Sequence, residues 1–220
     1  MNIERKASHV LTCGKSGMGK STYNLRYIIG SHHDRVFIFD HQGEYQIRLN
    51  LIPCYTMAEV RRRAATERII AFDYTKFHRG QMAESFDMFC DDIFNLCVDH
   101  LEPQGIESLL VCDEVQKVCT ANECPQPLKN VMQTGRRFNL DSALMSQQPN
   151  RIHNEVREQV TELIMFNLND ENSLKFVKKM GLDEQPIIRQ PALNYIWFNL
   201  MTGESRPGVI SYSEKVNKTS

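Results

Sequence analysis

Residues Gly14-Lys15-Ser16-Gly17-Met18-Gly19-Lys20-Ser21-Thr22 follow the spacing G-x-x-x-x-G-K-[ST]. Glycines let a backbone wrap closely, so that its N–H groups point at phosphate oxygens. A helix leaving such a loop adds the positive end of its dipole. In this pattern Lys20 reaches the β- and γ-phosphates of a nucleoside triphosphate, and the Ser21 hydroxyl binds Mg2+. ATP and Mg2+ are therefore the expected cofactors, with Gly14 to Thr22 as the binding loop. The bland alternative is a glycine-rich turn with a stray lysine. The apolar Val10-Leu11-Thr12-Cys13 entering the loop and the helical pattern leaving it favour phosphate binding.

A phosphate loop alone does not hydrolyse anything. Leu109-Leu110-Val111-Cys112-Asp113-Glu114 reads as a buried strand ending in two carboxylates. Asp113 is placed to hold Mg2+ through its water shell. Glu114, one residue on, can act as general base on the water that attacks the γ-phosphate. Leu144-Met145-Ser146-Gln147-Gln148-Pro149 puts polar residues after another apolar stretch. Gln147 is the expected γ-phosphate sensor, with Gln148 as the alternative. Each segment also has a plainer reading, as an acidic strand end and as the start of a loop.

The elements that must position these residues alternate between apolar strands and helical segments. Strands are expected at His9–Cys13, Arg35–Asp40, Arg68–Phe72, Ser108–Asp113, Asp141–Ser146 and Thr161–Asn167. Helices are expected at Lys20–Gly30, Met57–Ala65, Met82–Leu101, Pro127–Arg137 and Asn172–Met180. Asn194–Leu200 and Gly208–Ser213 read as a C-terminal hairpin. Such alternation predicts an α/β fold, a parallel sheet covered by helices on both faces. The 220 residues read as a single ATPase domain, with a core over about 7–170 and a C-terminal helix and hairpin over about 171–213.

Composition narrows the classes. Hydrophobic residues make up 41% and charged residues 24%, which excludes disordered and fibrous chains. The net charge of −1 disfavours a protein that coats DNA, but not one that grips it with a few loops. Mean hydropathy is −0.42, no apolar run approaches the ~20 residues of a membrane helix, and Met1 to Lys6 is polar. No signal peptide or membrane anchor is expected. The seven cysteines include no C-x-x-C pair and sit partly in apolar runs, which reads as reduced thiols.

Four motifs in order resemble the FtsK–HerA superfamily of ring-shaped DNA-pumping ATPases. They are the phosphate loop, Phe37-Ile38-Phe39-Asp40-His41-Gln42-Gly43-Glu44-Tyr45, the Asp113-Glu114 strand, and Thr134-Gly135-Arg136-Arg137-Phe138-Asn139 running into Ser146-Gln147-Gln148-Pro149. The last pairing is the most specific. Chain length makes the resemblance strongest to the small genome-packaging ATPases of tailless, internal-membrane, double-stranded DNA viruses, the tectivirus-like group. The resemblance implies a RecA-like P-loop fold and an ATPase that translocates double-stranded DNA into a preformed capsid. It implies a homo-oligomeric ring, expected to be a hexamer, located at the packaging vertex of the virion and in the host cytoplasm. Partners at the capsid vertex or in the viral membrane are implied with it. It also implies an arginine finger, Arg136 or alternatively Arg137, reaching the neighbour's nucleotide. Other pumps of the superfamily and a P-loop kinase are the competing readings.

Other residues divide between site and surface. Asp40 and Glu44 follow a central strand, where open α/β sheets bind ligands, although a turn at Gly43 explains them equally. Arg61-Arg62-Arg63 reads as a solvated face. Tyr74 to Gly80 is a basic, aromatic loop that could touch a phosphate backbone through Lys76, His78 and Arg79, with Arg151 and Arg157 as further candidates. His32-His33 reads as an exposed turn, and Phe86, Phe89 and Phe94 as core.

Overall fold

The computed structural model describes residues 8–76 and 81–211. The strands are β1 His9–Cys13, β2 Arg35–Phe39, β3 Ile69–Phe72, β4 Ser108–Cys112, β5 Leu140–Ser146, β6 Glu162–Met165, β7 Asn194–Asn199 and β8 Ser205–Val209. The helices are α1 Lys20–Gly30, α2 Glu44–Arg48, α3 Met57–Arg63, α4 Met82–Leu96, α5 Gln126–Thr134, α6 Asn154–Arg157, α7 Glu171–Lys179 and α8 Gln185–Ile188. They build an eight-stranded sheet in the order β3-β2-β4-β5-β1-β6-β7-β8. Strands β3 to β6 in that order are parallel, and β7 and β8 are antiparallel.

The near-continuous burial of β1, β4 and β5 follows from having both sheet faces covered. On one face Phe37, Phe39, Phe72, Leu110 and Leu144 pack under α4, whose Phe86, Phe89 and Ile93 repeat at helical spacing. On the other face Val36, Ile38, Leu109, Val111 and Met145 meet Leu25 and Ile28 of α1 and Tyr45 of α2. Phe86 and Phe89 are core, as expected, and Phe94 is half-buried against Phe138.

The sheet places the chemistry at one edge. Gly14 N–H donates to the Ser146 carbonyl, and β1 and β4 both flank β5. The C-terminal ends of β1, β4 and β5 therefore lie side by side, where open α/β sheets bind ligands.

Some expectations are corrected. The hairpin is real, but its second strand runs Ser205–Val209 rather than Gly208–Ser213. Asn199 accepts from Met201 and Thr202 through its side chain, which closes the turn early. Helix α4 stops at Leu96 and continues as a wider π turn to Leu101. Helix α5 gives way at Gly135 to a tighter 3-10 turn over Gly135–Phe138. A Cβ on Gly135 would sit 2.7 Å from the Leu140 carbonyl oxygen, so the chain can turn back into β5 only with glycine there. Helix α2 had no strong periodic signal. His33 is not exposed: it is buried and its Nε2 lies 3.0 Å from Asp141. His32 is exposed and faces Glu107 at 3.1 Å. These groups sit at the sheet edge away from Gly14. All seven cysteines are free thiols, and all but Cys124 are buried. Among the described residues no helix is long and apolar enough to cross a membrane.

Candidate nucleotide site

The phosphate loop connects β1 to α1 and is fixed from both flanks. Gly14 N–H donates to Ser146 O at 3.3 Å and Lys15 N–H to Asn167 O at 3.0 Å. Gly17 has φ 77°, and a Cβ there would meet nothing within 4 Å, so the loop tip faces open space. Gly19 caps α1 with no side-chain bond, and the first turn holds no acidic residue. The first N–H groups of α1 are thus left for an anion. By contrast α3 closes its own N-terminus with a Thr56–Glu59 capping box.

Lys20 is buried, and its Nζ donates to the Lys15 carbonyl at 2.8 Å. Burial lowers its affinity for a proton, while Asp113, Glu114 and Glu44 act in the opposite sense. Ser21 and Thr22 line the same cleft of about 270 Å³, together with Gln42, Asp113, Glu114 and Gln147. Asp113 ends β4. Burial raises its carboxyl to about 7, the Glu114 and Glu44 charges add to the rise, and Lys20 opposes it. Its Oδ1 accepts from the Glu114 N–H at 2.6 Å. A half-buried carboxylate and a serine hydroxyl are hard oxygen donors of the kind Mg2+ takes, alongside water and phosphate oxygens.

Glu114 has a left-handed backbone, φ 47°, an uncommon conformation for a residue with a side chain and one that is enriched at functional sites. Its carboxylate is held on every side. Oε1 accepts from Gln147 Nε2 at 2.7 Å. Oε2 meets Gln42 Nε2 at 2.9 Å, His41 Nε2 at 3.2 Å and the Lys117 ammonium. Burial pushes the Glu114 carboxyl up, but Lys117 and His41 outweigh it and hold the group below its usual value. Gln148, the alternative sensor, is exposed and directs its N–H to Ser146 Oγ.

The sequence-predicted residues Lys20, Ser21, Asp113, Glu114 and Gln147 thus converge on one cleft. Asp40 is buried, and its Oδ2 accepts the Gln46 N–H at 2.8 Å, which fastens the start of α2. Glu44 borders the cleft and pairs with Arg48 at 2.8 Å, and Arg48 donates to Thr22 Oγ1 at 3.1 Å. His41, Gln42, Arg48 and Lys117 were not singled out from sequence. The only signal for them is their closeness along the chain to Asp40, Glu44 and Glu114. Arg136 and Arg137 lie outside this cleft. They are exposed, at the start of β5 and so at the opposite sheet edge. Arg61 pairs with Asp92 and Arg63 with Glu67, in keeping with a solvated face. Lys76 lies over the Tyr55 ring, 4.3 Å from its centroid. His78 and Arg79 lie outside the described residues.

A parallel sheet carrying a phosphate loop beside an Asp-Glu strand end is the fold of a P-loop ATPase. Residues 8–170 match the family described as zonular occludens toxin (Zot), and the chain belongs to that family. It is a P-loop ATPase of the FtsK–HerA kind, and as such it binds nucleotide. No curated protein sequence matches it. Among solved structures it is similar to the genome packaging NTPase B204 of Sulfolobus turreted icosahedral virus 2 in complex with AMPPCP. That likeness has 16% identity and a TM-score of 0.72, over 92% of this chain and 97% of that one. It is also similar to Thermomonospora curvata EccC (ATPases 2 and 3), at 16% identity and a TM-score of 0.63, over 95% of this chain and 37% of that one. The N-terminal domain of zonular occludens toxin from Neisseria meningitidis matches at 14% identity and a TM-score of 0.51, over 94% of this chain and 96% of that one.

Proposed function

We propose that the chain is an ATP-driven translocase of double-stranded DNA that packages a viral genome into a preformed capsid. It works as a homo-oligomeric ring, a hexamer, docked on capsid-vertex or viral membrane proteins, in the virion and the host cytoplasm. The observation that carries the reading is the convergence of Lys20, Ser21, Asp113, Glu114 and Gln147 on one cleft. The likeness over nearly the whole length of a genome packaging NTPase supports DNA as the substrate of the motor.

In this reading the Gly14–Thr22 backbone and Lys20 hold the triphosphate. Ser21 and Asp113 would hold Mg2+, which would supply charge neutralisation at the phosphates. Glu114 takes the proton of the attacking water, and Gln147, hydrogen-bonded to it, reports the γ-phosphate. Replacing Glu114 with Gln keeps the shape and removes the base. Glu114→Gln is expected to retain Mg-ATP binding and lose turnover by roughly 100-fold or more. Hydrolysis within a few-fold of normal would move the base to Glu44, the carboxylate at the cleft that is not assigned to Mg2+.

The test of the whole reading is electron microscopy of the protein with an ATP analogue and double-stranded DNA, beside ATPase assays with and without that DNA. Closed rings threaded by DNA, and hydrolysis that rises on adding it, are expected. A monomer or dimer indifferent to DNA, transferring phosphate to a small acceptor, would replace the translocase with a kinase.

A further inference from the structure

Leu193 has φ 67°, a left-handed conformation that a leucine rarely adopts. Both of its peptide groups are engaged. Its N–H donates to the carbonyl of Met18, inside the phosphate loop, at 2.9 Å, and its carbonyl accepts from Ile210 N–H at 2.8 Å. Its side chain borders the nucleotide cleft. A Cβ added to Gly19 would lie 2.9 Å from Leu193 Cδ2, 3.2 Å from Ile210 Cδ1 and 3.4 Å from Phe166 Cε1. These three side chains therefore press on the residue that precedes Lys20. A second strut reaches the other end of the loop. Asn167 accepts the Lys15 N–H with its carbonyl, while its side-chain amide donates to Ile188 O at 2.7 Å and Gln190 O at 3.1 Å.

One short segment, Ile188 to Leu193, thus touches both ends of the phosphate loop, directly through Leu193 and by way of Asn167. It lies beyond residues 8–170, which match the family. Strained backbone persists where the surroundings over-determine it, and such sites cluster around ligands. The left-handed turn at Leu193 lets one residue bond to the loop on one side and to the chain just after β8 on the other. N–H donors stabilise a bound anion most when they are fixed in advance.

We infer that Leu193 is a positioning residue of the phosphate loop, and that the segment before β7 clamps the loop into its anion-binding shape. The inference rests on the loop being the nucleotide site. It makes the C-terminal hairpin part of that site.

The test compares ATP with inorganic tripolyphosphate, which fills the loop but has no nucleoside. Glycine adopts φ 67° without strain, so Leu193→Gly removes the clamp's side chain and leaves its backbone course allowed. Leu193→Asn serves the same purpose, because asparagine tolerates this conformation, should the glycine variant fail to fold. Binding of ATP and inhibition by tripolyphosphate are both expected to weaken, each on the order of ten-fold. Leu193→Met should keep both near normal. Unchanged affinity for both ligands would overturn the clamp. So would a loss confined to ATP, because the side chain would then be contacting the nucleoside. Lys20→Ala, measured alongside, separates this inference from the one beneath it. Normal ATP binding in that variant removes the loop as the nucleotide site. A loss there beside a normal Leu193→Gly protein removes only the clamp.

Discussion

Alanine in place of Lys20 is expected to lower ATP turnover on the order of 10³-fold or more. The size of the effect follows from the cations around the cleft. Arg48 borders it but is paired with Glu44, and Lys117 is paired with Glu114. Lys20 instead bonds a neutral carbonyl of its own loop, so an arriving phosphate displaces no carboxylate partner from it. Its burial strengthens its attraction for phosphate, because charges interact more strongly in a medium less polar than water. Loss of Mg-ATP binding by calorimetry, with an unchanged melting temperature, is the expected pattern. Wild-type hydrolysis in the variant would remove the loop from the mechanism.

The parallel sheet was legible because its strands are short apolar runs with helical periodicity between them. Val36, Phe37, Ile38 and Phe39 are buried on both faces, so β2 shows no alternation and reads as a central strand. That the loop, Asp113 and Glu114 meet in one cleft was legible because each motif is a run of residues adjacent in sequence. What stayed hidden depends on contacts between distant segments. The Glu114 carboxylate meets His41 and Gln42 across more than 70 residues of chain, a pairing that only the β2–β4 register creates. Leu193 gave no sequence signal at all, since a leucine before a strand reads as an ordinary packing residue. The positive φ that marks it is a tertiary fact. The hairpin register slipped for a local reason: the Asn199 side chain closes the turn ahead of the glycine that seemed to start the second strand.

Arginine at position 136 is expected to matter only across a subunit boundary. Strand β5 has seven residues and ends at Ser146, whose carbonyl accepts the Gly14 N–H. Arg136 precedes the other end of that strand. At about 3.3 Å per residue it lies some 20 Å or more from its own phosphate loop, beyond the reach of an arginine side chain. Arg136 and Arg137 are both exposed, and neither forms an ion pair with a described residue. That weakens the plain reading, in which both serve as partners for surface carboxylates. Placed against a neighbour's cleft, a guanidinium would neutralise charge that develops on the γ-phosphate, an effect on the order of 10³-fold in rate. Arg136→Lys should rescue little, because an ammonium lacks the planar fork. The decisive measurement mixes Arg136→Ala with Lys20→Ala protein, each nearly inactive alone. If the proposed ring forms with Arg136 at its interfaces, mixed assemblies would contain some where an intact Lys20 faces an intact Arg136, and activity should partly return. If subunit exchange is demonstrated and activity stays absent, Arg136 does not act in trans, and Arg137 takes its place in the same experiment. Full activity of Arg136→Ala on its own would remove that residue from hydrolysis altogether.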